Sequence, residues 1–428
     1  MSRTIEILRA FLCPHAKNDI LKQNSMKQLF SLAALAALLS ATGCTQQEIL
    51  TGDDGENEPA VLGISTGVLS AETKSVVGGD AITYTKTNYS TDALGIGVVI
   101  LNSEGSAAYS GGGISADHVW FIGDEKGETW KSISDKGESF AAATAAPYTL
   151  SDAVGTVYAY YPKTSTVTGT TSSALTIPAP LQKTGTITLS DDLTNADLRF
   201  DGGAWTQNAS ANKKKIICAP VETDYLYADN SNRKVSNGRT QSSPGRSIDL
   251  TMAHALTMVS FRLYNDGTLP GDGKLTQIKL KNADSKTLIK TTDGATMKLA
   301  DGTIAGLSTN TSDNLTRTVS GYTIPKEVKS GNLTLTTYIV SGTVTGPKVA
   351  RKISLLTYPL TNIPENEIEV VFTIDGQDYT ISLPVTDVWA WQAGTNYVYT
   401  VCASQRKLEV TSVSVAEWNE ELGGNIEL

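Results

Sequence analysis

The sequence predicts an all-β protein, with two tandem antiparallel β-sandwich domains in a Greek-key-like order behind an N-terminal export signal. Thr, Ser, Val, Ile and Gly dominate after the signal, where no stretch shows a convincing helical period. Short runs of alternating apolar residues recur between Gly, Asn and Asp turns, which is typical of β-sandwiches. Without the first 43 of the 428 residues, the remaining 385 are long for one domain and comfortable for two.

The export signal begins at Met26-Lys27, which supply a start and a positive charge. The apolar run "LFSLAALAALL" that follows is too short for a transmembrane helix, which needs about 20 residues, but it fits a secretory signal. Small residues then precede Cys44, in the order of a bacterial lipobox. We expect 26–43 to be a lipoprotein signal peptide and Cys44 to be lipidated. The alternative is an ordinary signal peptide with a chance cysteine.

Two flanking regions have separate interpretations. Residues 1–25 place charges and a proline ahead of the signal, so we expect translation to begin at Met26 and the mature protein to lack Cys13 and His15. Residues 44–59 are acidic and Gly-rich, which suits a solvated tether between a lipid anchor and a folded body.

The exported chain is acidic. Residues 1–43 hold five of the 35 basic and two of the 44 acidic residues, which leaves 30 against 42. This balance argues against nucleic acid as a partner, because phosphates require a basic surface. Besides Cys44, the cysteines that remain are Cys218 and Cys402. Two buried thiols are favoured for them, and a disulfide is the alternative.

Several strands can be placed in order. The first spans about 60–68, where apolar residues alternate, and "VYAYYPK" and "YVYTVCA" are aromatic-rich strands. The strongest hairpin signal is Asp375-Gly376, because the residues on both sides alternate between apolar and polar.

The domain boundary is placed after a polar run, at the start of a segment in which the apolar pattern changes phase. Ile248 and Leu250 keep one phase and Phe261 the other, so we expect a bulge or bend near 257–259 and a passage between sheets there. The preceding polar run "YADNSNRKVSNGRTQSSPGRS" is predicted to be a loop or linker. The N-terminal domain is therefore predicted to span 60–247 and the C-terminal domain 248–428.

Catalytic motifs are weak in this sequence. "GISTG" around Ser65 matches the serine hydrolase pattern, but it lies in an alternating strand and no helix follows. "SGGGIS" lacks the Lys-Ser/Thr of a phosphate loop. Two carboxylates could meet to cleave glycosides, but no pair is indicated. We expect no enzyme activity and no cofactor.

Ligand-binding residues are equally sparse. His118 and His254 are not at metal-binding spacing, and His254 is expected to be a satisfied core residue. Asp191-Asp192 could bind calcium, but a solvated turn is the simpler interpretation. We expect no metal site. A sugar-stacking platform could come from tryptophans, although most aromatic residues in such folds are core. These are Trp120, Trp130, Trp205, Trp389, Trp391 and Trp418.

A series of short segments runs along the exported chain in a characteristic order. It comprises the lipobox, "ETKSVVGGDAI", "ALGIGVVI", "VYAYYPK", "IPAPLQ", "SDDLTNADL", "TDYLYA", "MAHALTMVSFRL", "YTIPKEV" and "WQAGTNYVYTVCASQRKLEVTSVSVAEW". In these segments the chain resembles the fimbrillin-like lipoproteins of Bacteroidia, which are subunits of type V pili. The resemblance implies two tandem β-sandwich domains and a structural, adhesive role at the outer membrane and cell surface.

The resemblance also implies a route of assembly. A trypsin-like surface protease would cut after a basic residue that corresponds to Lys74, and the lipidated segment would leave with the first strand. A strand from another pilus subunit would then fill the vacated groove. Candidate donors in this chain are "KLEVTSVSV" and "GNIEL". Implied partners are other pilus subunits, the outer-membrane lipid through Cys44, the protease, and a host or bacterial surface ligand.

Alternatives remain open at this point. Within a pilus, the chain could be a stalk, tip or anchor subunit. In a different class, it could be a surface glycan-binding lipoprotein that stays anchored to the membrane. A glycoside hydrolase is a third and weaker interpretation.

Overall fold

The computed structural model describes sixteen stretches of the chain, and all of them are strand, turn or irregular structure. They all lie within Pro59–Leu428, which forms one compact unit. No helix in these stretches is long and apolar enough to cross a membrane. The all-β prediction is confirmed. The described stretches are 60–68, 95–110, 118–123, 130–133, 147–164, 166–188, 198–201, 204–207, 217–218, 223–239, 243–320, 322–324, 352–383, 390–405, 407–416 and 425–427.

The strands of the described residues are numbered in chain order. They are β1 (Ala60–Val61), β2 (Gly63–Val68), β3 (Gly95–Asn102), β4 (His118–Gly123), β5 (Trp130–Ile133), β6 (Thr149–Leu150), β7 (Gly155–Tyr161), β8 (Thr176–Pro178), β9 (Thr184–Thr188), β10 (Leu198–Asp201), β11 (Ala204–Gln207), β12 (Ile217–Cys218), β13 (Leu226–Ala228), β14 (Lys234–Val235), β15 (Ser247–His254), β16 (Thr257–Asn265), β17 (Leu275–Asn282), β18 (Thr296–Lys298), β19 (Ile304–Ala305), β20 (Asn314–Ser320), β21 (Lys352–Thr357), β22 (Ile368–Ile374), β23 (Gln377–Leu383), β24 (Asn396–Ala403), β25 (Leu408–Ala416) and β26 (Asn425–Glu427).

An eight-stranded sheet has the order β2-β15-β13-β7-β3-β4-β5, and β14 also pairs with β7. Its pairs are antiparallel except for β2 and β15, which are parallel. The end strands β2 and β5 also contact each other, so the sheet curves round on itself. "VYAYYPK" forms β7, as predicted, and β7 is buried on both faces. A side chain at Gly97 of β3 would meet the ring of Tyr160, so glycine there allows the close approach.

A six-stranded sheet has the order β12-β21-β16-β24-β25-β26, and a five-stranded sheet has the order β23-β22-β17-β20-β9. "YVYTVCA" forms β24, as predicted. The ring of Phe261 on β16 meets Phe372 on β22 edge-on, with 5.4 Å between centroids, and stacks on Tyr399 of β24 at 5.8 Å. Side chains from both sheets share one apolar cluster, so these sheets pack face to face.

The predicted hairpin is confirmed. Ile374 pairs with Gln377 across the two-residue turn between β22 and β23. Asp375 and Gly376 have φ values of 51° and 78°, as a type I′ turn requires. The Asp375 carboxylate also accepts hydrogen bonds from the backbone N–H groups of Gly273 and Lys274, both at 2.8 Å, which fixes the turn to a neighbouring loop.

The predicted passage between sheets is present, but it lies just before the predicted 257–259, and β16 pairs with both of its neighbours without a bulge there. β15 belongs to the eight-stranded sheet, whereas β16 belongs to the six-stranded sheet. Ala255 and Leu256 join them, and both are buried. The change of phase therefore marks a change of sheet, because each strand turns its apolar residues towards a different core. The polar run predicted to be a linker carries β14 and the end of β13, so it follows the sheet in part.

Three short strands before β15 pair with strands after it. β8 pairs with β18, β9 pairs with β20 in parallel, and β12 pairs with β21 in parallel. We call residues 174–188, which contain β8 and β9, the strap. The division into domains 60–247 and 248–428 stays a prediction, and the strap crosses it.

Candidate functional site: the leading strand and its groove

Residues 60–68, here called the leading segment, lie in the folded body. Ala60 and Val61 pair with Leu150 and Thr149 of β6 in antiparallel fashion. The Leu62 N–H donates to the Tyr148 carbonyl at 2.8 Å. β2 then pairs in parallel with β15 over six residues. The segment thus changes its strand partner at Leu62, and backbone hydrogen bonds continue through the change.

The apolar side of the leading segment is buried as the alternation predicts. Leu62 is 2% exposed and Ile64 is 8% exposed, and both join an apolar cluster that we call the first core. Burial of such side chains contributes roughly 1.5–3 kcal/mol each. The groove that receives them is defined by apolar residues of β15 and of the chain around β6. These are Tyr148, Leu150, Ile248, Leu250 and Met252.

The leading segment is nevertheless at the end of its sheet. In the described part of the chain, β15 is the strand with which β2 forms a backbone ladder. β15 is held independently on its other side, where it pairs with β13. After β13 ends, the Asn230 side chain continues the hydrogen bonding to the β15 backbone. Its Oδ1 accepts from the Thr251 N–H at 2.6 Å, and its Nδ2 donates to the Asp249 carbonyl at 2.7 Å. β15 therefore has a support that does not depend on β2.

The outer side of the ladder is polar. Ser65 lies beside Asp249 in the register, and its hydroxyl donates to the Asp249 carboxylate. This placement argues against the serine hydrolase interpretation of "GISTG", because Ser65 lies within a strand and hydrogen-bonds across it. Of "SGGGIS", all but Ser110 lies outside the described residues.

The predicted lipidation site Cys44 and the predicted processing site Lys74 both lie outside the described residues. Asp191-Asp192 does so as well. Among the described residues, no group of three or more His, Cys, Asp or Glu side chains could hold a metal ion.

His254 is a buried residue that is hydrogen-bonded to a carboxylate. Its Nδ1 lies 2.7 Å from Asp224 Oδ2, and both side chains are almost fully buried. The prediction of a core histidine is confirmed, and the residue is satisfied through Nδ1. Next to the pair, burial and then the Asp224 charge raise the pKa of Tyr225 to about 12. His118 lies in β4.

Two tryptophans of the described residues, Trp391 and Trp130, pack against apolar cores. Trp391 is fully buried and donates from Nε1 to the Tyr399 hydroxyl at 3.0 Å, so it is a core residue. Trp130 packs partly buried against the first core. Trp120 and Trp205 lie in β4 and β11. Trp389 and Trp418 lie outside the described residues.

The two cysteines of the folded body are too far apart for a disulfide. Cys218 lies in β12 and Cys402 in β24, with β21 and β16 between them in the six-stranded sheet. Three strand spacings amount to roughly 14 Å, whereas bridged cysteines lie within about 7 Å. The sheet order therefore agrees with two separate thiols.

Sequence reasoning missed two residues of this site, Asp249 and Asn230. The alternation around Ile248 and Leu250 places Asp249 on the outer face, which predicts exposure and gives no partner. The Asn230 side chain hydrogen-bonds to a strand about twenty residues further along the chain, and no local sequence pattern predicts that contact.

A match to a sequence profile identifies the family of this chain. The sequence profile described as Fimbrillin-like matches residues 83–418, which is more than half of the chain. The chain belongs to the fimbrillin-like family. This family is structural and non-enzymatic, which confirms that the fimbrillin-like chain is not an enzyme. No curated protein matches it.

Solved structures resemble this fimbrillin-like protein at low identity. A proposed cell adhesion protein from Bacteroides uniformis is 17% identical, with 84% of this chain and 99% of that chain covered and a TM-score of 0.44. A proposed cell adhesion protein from Bacteroides ovatus is 14% identical, with 85% and 99% covered and a TM-score of 0.44. A fimbrial protein from Bacteroides vulgatus is 14% identical, with 84% and 99% covered and a TM-score of 0.39.

Proposed function

We propose that this fimbrillin-like protein is a structural and adhesive subunit of a cell-surface pilus. It is exported as an outer-membrane lipoprotein, matured by proteolysis near Lys74 and polymerised by strand exchange. The observation that supports this most is the leading segment: its apolar side chains are buried, yet it is the last strand of its sheet. A strand with those two properties can be replaced by another strand with a similar pattern.

Proteolysis is the step that makes the leading segment replaceable. Acylation of Cys44 would hold the precursor at the outer membrane, and residues 44–59 would space the body from the lipid. A trypsin-like cut after Lys74 would then break the covalent link between the leading segment and the body. From that point the segment would be retained by its backbone pairing with β15 and β6 and by its buried side chains, Leu62 and Ile64 foremost.

The groove would persist after the segment leaves, because β15, the strand that lines it, is also paired on its other side. β15 keeps its pairing with β13 and its contacts with Asn230. The backbone groups on its free side would then be unpaired, which favours addition of a new strand. A strand from another subunit restores both the ladder and the apolar contacts. Repetition of this head-to-tail contact gives a filament, since the contact does not close on itself.

The two candidate donors within the chain differ in how easily they leave their own sheet. "KLEVTSVSV" largely forms β25, which lies between β24 and β26, and its removal would break two ladders. "GNIEL" contains β26, which is the last strand of the same sheet and pairs over three residues. On this ground, β26 is the donor that costs less to release.

The remaining parts of the proposal follow the same scheme. The body is organised as two tandem β-sandwich domains, 60–247 and 248–428, with Greek-key-like connections. Its partners are other pilus subunits, the outer-membrane lipid, a surface trypsin-like protease, and a host or bacterial surface ligand.

Trypsin treatment of the purified precursor tests the proposal. We expect one early cut after Lys74, followed by ladders of SDS-resistant oligomers, because an exchanged strand is buried on its apolar side. The variant Lys74→Ala should delay both events. Arg239→Ala is the matched control, since Arg239 is an exposed basic residue in another loop of the same half of the chain, and it should polymerise like the parent.

Two results would contradict the proposal. Equal polymerisation of Lys74→Ala and the parent would remove processing at this residue. A clean cut that leaves the protein monomeric, with the leading segment still bound, would remove assembly by strand exchange.

A further inference from the structure

The groove has a polar rim as well as an apolar floor. Asp249 lies on the outer face of β15, between the buried residues Ile248 and Leu250, and its side chain is exposed. In the parallel register it is the partner of Ser65, whose hydroxyl donates to its carboxylate. A strand that takes the place of the leading segment must therefore set a side chain beside this carboxylate.

The backbone that carries Asp249 is held in place from the other side. Asn230 Nδ2 donates to the Asp249 carbonyl at 2.7 Å and to the Thr251 hydroxyl at 3.3 Å, and Asn230 Oδ1 accepts from the Thr251 N–H at 2.6 Å. These bonds do not involve β2. The backbone of Asp249 is therefore still supported when the groove is empty, and its side chain stays on the outer face of β15.

The chemistry of the carboxylate sets what it accepts. An ionised carboxylate only accepts hydrogen bonds, so a hydroxyl or an ammonium beside it is favoured. Like charges directly opposite each other on neighbouring strands are unfavourable. The apolar floor does not make this distinction, because it contacts only the alternate, inward-facing residues of the strand.

We infer that Asp249 selects the strand that occupies the groove. It favours a strand with Ser, Thr or Lys directly after the residue that replaces Ile64, and it disfavours a strand with Asp or Glu there. The inference rests on the proposed strand exchange and names the partner's chemistry: a segment with the pattern apolar, any, apolar, hydroxyl or lysine.

The selection separates the two candidate donors of the chain. If Val410 takes the place of Ile64, Thr411 stands beside Asp249 and supplies a hydroxyl. If Ile426 takes that place, Glu427 stands there and the two carboxylates repel each other. The donor that is easier to release is thus the poorer occupant in that register, which favours a hydroxyl-bearing strand from another subunit.

Labelled peptides test the selection on the full chain after trypsin cleavage. The probes are the sequence of residues 60–68 and its Ser65→Lys, Ser65→Ala and Ser65→Glu variants, with binding measured by fluorescence anisotropy. We expect the Ser65→Glu peptide to bind about two- to five-fold more weakly than the parent peptide, as for other cross-strand charge pairs. Because Asp249 is exposed, the difference should shrink in about 0.5 M salt.

Variants of the protein assign the effect to Asp249. Asp249→Asn keeps the shape and should abolish the discrimination, and Asp249→Lys should reverse it in favour of the Ser65→Glu peptide. Asp378→Asn, an exposed carboxylate on β23, is the control and should leave the discrimination unchanged.

Each outcome is decisive. Equal binding of the Ser65→Lys and Ser65→Glu peptides to the parent protein would overturn the selection and leave strand exchange in place. Discrimination that survives Asp249→Asn would place the selection at another residue and also overturn the inference. Failure of every peptide to bind would overturn strand exchange, and the inference with it.

Discussion

The leading segment and the strap are both segments that complete a sheet formed by distant parts of the chain, but they are held in different ways. The leading segment relies on a backbone ladder at the end of its sheet, on a few apolar side chains, and on one polar pair at the surface. The strap is held by buried polar side chains that reach into it from both halves of the chain. Those side chains belong to Arg317, Tyr225 and Tyr358.

The contacts of the strap are specific to its backbone. Arg317 is fully buried, and its guanidinium donates to the carbonyls of Gln182 at 2.9 Å and Lys183 at 3.3 Å. The Tyr225 hydroxyl donates to the Pro180 carbonyl at 3.0 Å, and the Tyr358 hydroxyl donates to the Ala179 carbonyl at 2.9 Å. A replacement strand would have to present its carbonyls at the same places to satisfy these donors.

This difference in contacts indicates which of the two segments can be exchanged. Backbone ladders and apolar contacts accept any strand with the right alternation, so the leading segment has many possible substitutes. Buried hydrogen bonds are costly to leave unmade, so the strap stays in place while the leading segment changes. We therefore expect substitutions in the strap to destabilise the whole fold and substitutions in the leading segment to act locally.

The largest effect should come from Arg317→Met. This variant keeps much of the side-chain volume but removes the donor to the Gln182 carbonyl and the longer of the two hydrogen bonds to the Lys183 carbonyl, which still accepts from the Thr316 N–H. We expect the free energy of unfolding to fall by about 3 kcal/mol, because hydrogen bonds from charged donors are among the stronger ones. Urea unfolding followed by fluorescence measures it.

Arg239→Met is the control for that variant, since Arg239 is exposed and its replacement should change the free energy by less than about 0.5 kcal/mol. If the two variants unfold at the same urea concentration, the strap is not held by Arg317, and the contrast with the leading segment loses its main support.

A smaller and local effect should come from Leu62→Ala. The cavity should make the opening of the leading segment easier by about 2 kcal/mol, which corresponds to roughly 30-fold faster hydrogen exchange. The amides to follow are those of Leu62 and Gly63, which donate to Tyr148 and Arg246. Hydrogen exchange in the strap should not change.

Val61→Ala is the matched control, because Val61 is the neighbouring residue and is 39% exposed. It should leave the exchange rates of the leading segment nearly unchanged. If Leu62→Ala instead accelerates exchange in the strap to the same extent, the two segments open together and the leading segment is not separately removable.

The two segments also differ in how far the sequence predicts them. Alternation from Ala60 to Ile64 predicted the leading segment and its buried face, because a period of two is a local property. The same kind of reasoning predicted the Asp375-Gly376 hairpin and the change of sheet after β15.

Local periodicity in the sequence does not predict the strap. "ALTIPAPLQKTGTIT" has no long alternating run, and its strands pair with β18 and β20, more than a hundred residues away. Arg317 lies in β20, where its neighbours Leu315 and Val319 suggest an apolar face, and a buried guanidinium contradicts that pattern. Long-range pairing and buried polar contacts depend on the whole fold, so local periodicity does not indicate them.

The smallest effect concerns alkaline pH and again distinguishes the strap. Burial and the Asp224 charge raise the pKa of Tyr225 from 10.0 to about 12. Because the folded-state pKa lies above the unfolded one, the stabilisation is fully present below pH 10 and is lost as the pH rises through about 12. At about pH 11 the loss should be about 1.4 kcal/mol. Tyr225→Phe should remove that part of the loss.

Urea unfolding at about pH 8 and at about pH 11 measures the effect, and the variant at pH 8 is its own control. At pH 8 parent and Tyr225→Phe should differ only by the hydrogen bond to Pro180, worth about 1 kcal/mol. At pH 11 the difference should shrink or vanish, since the parent then bears the cost of keeping its phenol neutral. If the difference in unfolding free energy between parent and Tyr225→Phe stays constant with pH, the Tyr225 hydroxyl is not buried against the strap. The strap would then be as accessible to water as the leading segment.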